Sequence, residues 1–75
     1  MQMEVQSRFT KVFDERVNSL IADGYCKRVD TRLSNLWIVR LRHQMNGNEI
    51  VLKGWPSLGF FNQQTNGVLT HSEYV

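Results

Sequence analysis

Residues 36–55 read LWIVRLRHQMNGNEIVLKGW, two apolar-rich runs joined by Asn46-Gly47. Asn-Gly is the preferred centre of a two-residue type I′ turn, because both residues tolerate positive φ at little steric cost. Flanked by β-branched and aromatic side chains, the pair predicts a hairpin with strands over residues 36–44 and 49–55. A two-residue turn sets Met45 opposite Asn48. It then places His43 opposite Ile50, Leu41 opposite Leu52 and Val39 opposite Gly54. Side chains alternate between faces along a strand. Trp37, Val39, Leu41, His43, Ile50 and Leu52 therefore share one face, and Ile38, Arg40, Arg42, Val51, Lys53 and Trp55 share the other. A slip of one residue would exchange the faces, so the contrast between them specifies the register.

Upstream, Val5, Phe9, Val12, Phe13, Val17, Leu20 and Ile21 recur at steps of three and four. That period predicts an amphipathic helix over about residues 4–23, ended by Gly24. Glu4 with Arg8 and Lys11 with Glu15 set opposite charges one turn apart on its polar side. The apolar stripe must bury against the oily face of the hairpin, because covering the other face would desolvate two arginines and a lysine. Tyr25–Thr31 alternates weakly and predicts a strand over residues 25–31. With a three-residue loop after it, Val29 faces Val39 and Tyr25 faces His43 in the core. Arg28 then lies beside Arg40 and Cys26 beside Arg42. Pro56 stops the last strand, since it has no N–H to donate. Residues 56–75 form an irregular tail or a short hairpin around Asn66-Gly67, with Phe60 and Phe61 as a satellite core and room for a fourth strand. The expected fold is α+β, one N-terminal amphipathic helix packed on a three-stranded, at most four-stranded, antiparallel sheet. Residues 1–75 make a single small domain.

Composition excludes several kinds of chemistry. Cys26 is the sole cysteine of the 75 residues, so no intrachain disulfide and no cysteine zinc cluster can form. That fits a reducing, cytoplasmic setting. The first residues lack the basic start and apolar run of a signal peptide, and no apolar stretch reaches the roughly 20 residues that span a bilayer. Nucleophilic catalysis would need Cys26 or a Ser with a His positioned as base, and no neighbouring sequence marks His43 or His71 as one. Asp14 and Glu15 diverge by about 100° on a helix and cannot face each other as an acid–base pair. Residues 54–59, GWPSLG, lack the Lys-Ser/Thr that completes a phosphate-binding loop. No catalytic residue, metal ligand or cofactor is expected, and the protein is read as a non-enzyme. His43 is expected as a half-buried ring with a satisfied hydrogen bond, and Cys26 as an inert small side chain.

The formal net charge is only +2, but its placement is uneven. Residues 1–24 set Arg8, Lys11 and Arg16 against Glu4, Asp14, Glu15 and Asp23. Residues 25–56 set Lys27, Arg28, Arg32, Arg40, Arg42 and Lys53 against Asp30 and Glu49 alone. The excess falls on the strands. Arg28, Arg40, Arg42 and Lys53 gather around Ile38 and Trp55 on the face turned away from the helix. In this register Arg40 stands opposite Lys53, a like-charge pair that an anionic partner would relieve. Arginine on phosphate with an aromatic ring on a base is one way a sheet holds nucleic acid. The expected function is a binding module whose Arg28, Arg40, Arg42, Lys53 and Trp55 meet an anionic partner, nucleic acid first. The alternative is an acidic protein surface, with the chain acting as an inhibitor, adaptor or small subunit through the same face or a strand edge. The strand edges and the aromatic tail are the surfaces through which a homodimer would pair. No membrane or metal partner is expected. Whether the tail covers the basic face decides whether that face is open.

Overall fold

Phe9, Phe13, Val17 and Leu20 point one way on a helix, and all four are buried. In the computed structural model, which describes residues 2–75 with side chains from Ser7 onward, they belong to α1 (Gln2–Ala22). Val5 and Glu4 lie outside the described side chains. Gly24, with φ of 107°, ends the helix and leads into β1 (Tyr25–Arg32). Then follow β2 (Trp37–His43), β3 (Glu49–Trp55), a 3₁₀ turn at Pro56–Leu58, β4 (Phe60–Thr65) and β5 (Val68–Tyr74). The strands lie side by side in chain order in one antiparallel sheet. The fold is α+β with one helix on one face, as expected, but the sheet has five strands instead of three or four.

The helix stripe packs on Val39 and Leu41 of β2, Ile50 and Leu52 of β3, and Phe61 of β4. Gly54 sits among them as a gap in the sheet surface. Phe9 and Phe13 stand over that gap, with Trp37 at 5.3 and 5.4 Å and Phe61 at 6.3 and 5.6 Å, all in edge-to-face contact. Such edge contacts place the positive ring edge on the negative ring face. The one buried polar side chain among the described residues is Gln63, whose Oε1 accepts a 2.9 Å hydrogen bond from Arg16 Nε on the helix.

The first hairpin forms, but not with the expected turn. Arg42 pairs with Glu49, Leu41 with Ile50, Val39 with Leu52 and Trp37 with Gly54. The His43 N–H donates to Asn48 O at 2.8 Å, and the Gly47 N–H to His43 O at 3.1 Å. Residues 44–47 thus make a four-residue loop, in which Gly47 takes positive φ and Asn46 does not. The His43 side chain explains the longer loop. Its Nδ1 accepts from the Met45 N–H at 3.1 Å, which leaves Nε2 to donate to Asp23 O at 3.0 Å, while the ring packs edge-on against Tyr25. Asn46 Oδ1 also accepts from the Asn48 N–H, a local side-chain bond that Asn favours in turns. The pairing is displaced by two residues. An even displacement changes every partner and leaves every side chain on its face.

The two-residue turn with both residues at positive φ belongs instead to Asn66 (52°) and Gly67 (84°), between paired Thr65 and Val68. Asn66 Oδ1 accepts from the Glu49 N–H and its backbone N–H donates to Glu49 O, so this turn is also tied to β3. The tail is therefore a full hairpin. Phe60 and Phe61 do not form a satellite core, because alternation separates them. Phe61 enters the main core, and Phe60 faces the other side.

The β1–β2 connection differs as well. Its loop, residues 33–36, has four residues and not three, closed by the Leu33 N–H to Leu36 O, and Arg28 forms a bulge in β1. Tyr25 faces His43 and Cys26 faces Arg42, as expected. Beyond the bulge Val29 faces Arg40 and is 42% exposed, so it is not a core residue. Asp30 takes the place opposite Val39. The extra residue turns Asp30 and Arg32 toward the helix side, which Lys27, opposite Leu41, already faces, and there they pair with one another and with Asp14.

A Cβ built at Gly54 would stand 3.0 Å from both Phe13 Cε1 and Phe9 Cζ. Both rings are fully buried and have no free space to yield into. Gly54→Ala is expected to lower stability by about 1–3 kcal/mol through overpacking. Urea unfolding should show a lower midpoint with an unchanged slope. A midpoint equal to or above the parent's would show that the rings do not rest on this gap.

Candidate nucleic-acid interface

Alternation that sends Val39, Leu41, Ile50 and Leu52 inward sends Ile38, Arg40, Arg42, Val51, Lys53 and Trp55 outward. The helix occupies the opposite face. The tail widens the sheet sideways beyond β3 and does not fold over it. The basic face is therefore open.

Each residue singled out from the sequence lies on or beside this face. Arg40 and Arg42 are exposed, two residues apart on β2. Arg28, in the bulge, joins them around a shallow depression also lined by Glu49 and Val51. Lys53 is half-buried on β3, between Ile38 and Asn62. Arg40 stands opposite Val51, so the expected Arg40–Lys53 like-charge pair is absent. The two-residue displacement of the hairpin staggers the cations and sets Arg42 opposite Glu49. Among the described residues, four cations still share the surface with one carboxylate. Cys26, opposite Arg42, is half-buried, and its Sγ accepts from Gln44 Nε2.

How these cations are held differs from the rest of the sheet. On the helix side, Arg32 bonds Asp14 at 2.8 Å and Asp30 at 2.9 Å, and lies over the rings of Trp37 and Phe13 at 4.7 and 5.3 Å. Lys27 reaches Asp30 at 2.9 Å. The hydrogen bond from Arg32 holds the Asp30 carboxyl below its usual pKa. Desolvation opposes this, and Lys27 adds to it. Burial alone would lower the pKa of Arg32, but its bonds to Asp30 and Asp14 outweigh that and raise it. Among the described residues, no carboxylate stands within 4 Å of the charged ends of Arg28, Arg40, Arg42 or Lys53.

The structure adds an aromatic row that the sequence alone did not assign. Trp55 stacks on Phe60 at 5.8 Å, and Phe60 lies 4.6 Å from Tyr74, so three rings cross β3, β4 and β5 at one end of the face. Tyr74 is 79% exposed. The signal for this row was the alternation in FFNQQT and VLTHSEY, legible once both are strands. Beside the row lies Asn62, whose Oδ1 is buried with no hydrogen-bond partner.

Among the described residues, no group of three or more His, Cys, Asp or Glu side chains is placed to hold a metal ion. Among the same residues, no helix is long and apolar enough to cross a membrane. Comparison with protein-family models, with curated proteins and with solved structures finds no match for this chain.

The Asp30 network has a testable pH signature. A carboxyl whose pKa is lowered by folding stabilises the native state above its unfolded value, near 3.8, and loses that contribution as pH falls through the lower folded value. The Asp30 side chain keeps a quarter of its surface in solvent, and screening there holds the effect to about 1 kcal/mol. Asp30→Asn should therefore be slightly less stable than the parent at pH 7, and the gap should close as pH drops below the ordinary carboxylate range. Thermal unfolding of both proteins between pH 2 and 7 measures it. A gap that persists or widens in acid would sink this account.

Proposed function

We propose that this chain is a non-enzymatic binding module that takes nucleic acid on its outer sheet face. One observation carries this reading: Arg28, Arg40, Arg42 and Lys53 cluster on an open face without carboxylate partners among the described residues, whereas Lys27 and Arg32 are both paired. Clustered cations repel one another, and phosphates supply the missing counter-charge. Each contact releases a counterion condensed on the polymer, which is the main source of affinity in such complexes. Cys26, a free thiol, fits a reducing cytoplasmic setting.

A second reading rests on the aromatic row. Trp, Tyr and Arg are the residues that dominate protein–protein hot spots, and Trp55, Phe60 and Tyr74 lie on the same face as the arginines. An acidic protein surface would satisfy the same cations.

Titration of labelled oligonucleotides at several salt concentrations distinguishes the two. Four phosphate contacts give a slope of log affinity against log salt of about −3, at roughly −0.7 to −0.9 per contact. Arg40→Glu combined with Arg42→Glu should abolish binding and leave the circular dichroism spectrum unchanged. Absence of binding at low salt overturns the nucleic-acid reading and favours the acidic protein. Binding that ignores both substitutions removes this face from it.

A further inference from the structure

We infer that the ligand is a single strand, with its phosphates on the arginine corner of the sheet and its bases at the aromatic row; this rests on the nucleic-acid reading above. The first ground is shape. Five strands about 4.8 Å apart make a face about 19 Å across, whereas the major groove of B-form DNA is about 12 Å wide and admits a helix or a two-stranded ribbon. The deep, narrow major groove of an RNA duplex is closed to side chains altogether. The helix, the one element slim enough for a groove, has its apolar stripe committed to the core on the other side of the sheet. This face can touch B-form DNA only along its phosphate ridges, and an RNA duplex only across the phosphates and 2′-hydroxyls of its wide, shallow minor groove.

The second ground is the distribution of chemistry over the face. Arg28, Arg40 and Arg42 occupy one corner, on β1 and β2. Trp55, Phe60 and Tyr74 occupy the diagonally opposite end, on β3 to β5. Six residue steps along β3 separate the Trp55 row from the Arg42–Glu49 row, about 20 Å at 3.4 Å per step. Between them lie Gln64, opposite Val51, whose amide offers a donor and an acceptor, and Asn62, opposite Lys53, whose Oδ1 is buried and not offered to a ligand. Phosphate ligands, base-edge donors and acceptors, and ring faces therefore follow one another across the surface. A duplex keeps its ring faces stacked inside, out of reach of the aromatic row, and holds its base edges down in its grooves. A single strand presents all three, and bases stack on aromatic side chains with little regard to sequence. The exposure of Tyr74 belongs to the same pattern. Rings in the core of this protein are fully buried, while this one leaves most of its surface to solvent at the end of a stacked row.

The test compares a fluorescein-labelled mixed-sequence oligonucleotide, as DNA and as RNA, with the duplex of the same sequence, by anisotropy at low salt. The single strand is expected to bind at least tenfold more tightly than the duplex and to quench tryptophan emission. Tyr74→Ala, alone and with Phe60→Ala, should weaken single-strand binding about tenfold or more and leave the weak duplex affinity unchanged, whereas Tyr74→Phe should restore it. The single Tyr74 variant removes an exposed ring, so it remains informative if the double variant unfolds. Duplex binding equal to or tighter than the single strand overturns this inference and leaves the nucleic-acid reading intact, as does an unaltered affinity in Tyr74→Ala. Failure of every oligonucleotide to bind overturns both.

Discussion

Phe9 and Phe13 of the helix rest where Gly54 leaves the sheet without a side chain, hemmed by Trp37 and Phe61. A small domain buries too little of its surface to tolerate loose packing, and here two of the largest core side chains enter one gap. That contact sets the height and direction of the helix over the sheet. It also gathers the fully buried core on one side of the sheet. Everything else about the fold depends on this asymmetry.

The consequence for the other side is freedom from packing. Residues facing away from the helix need only be compatible with a strand, so charge and exposed rings are tolerated there. Cations on the helix side cannot be left alone near apolar rings. Arg32 is held by two carboxylates and two aromatic faces, and Arg16 by the buried amide of Gln63. The outer cations have no such structural employment. Their proximity raises the energy of the free protein slightly and lowers that of any complex with a polyanion. Electrostatics of this kind govern encounter and affinity and contribute little to the fold itself.

The candidate site was mostly legible from residues 36–55, because face membership depends only on odd or even position along a strand. Arg40, Arg42, Lys53 and Trp55 stand on the outer face just as alternation requires. Arg28 reaches the same corner by another route, through a bulge that lifts it and Val29 outward together. Phe60 and Tyr74 were missed because amide-rich FFNQQT is a weak strand signal, Asn being depleted in strands. Its buried Gln63 makes sense only with Arg16, 47 residues earlier in the chain, to satisfy it.

Local pattern in the chain is enough to specify the helix, its buried stripe, the hairpin and the two faces of its strands. These are local periodicities of 3.6 and 2, carried by residues near one another in the chain. Tertiary structure decided the pairing partners, the bulge, the two added strands and the openness of the basic face. Parity cannot detect a displacement of two residues, so the loop length rested on the His43 ring, which takes the Met45 N–H on one nitrogen and reaches Asp23 O with the other. Asn46-Gly47 and Asn66-Gly67 are the same dipeptide, yet only the second forms the two-residue turn. The difference lies in what surrounds each, a histidine that winds the first into a wider loop and a strand edge at Glu49 that receives the second.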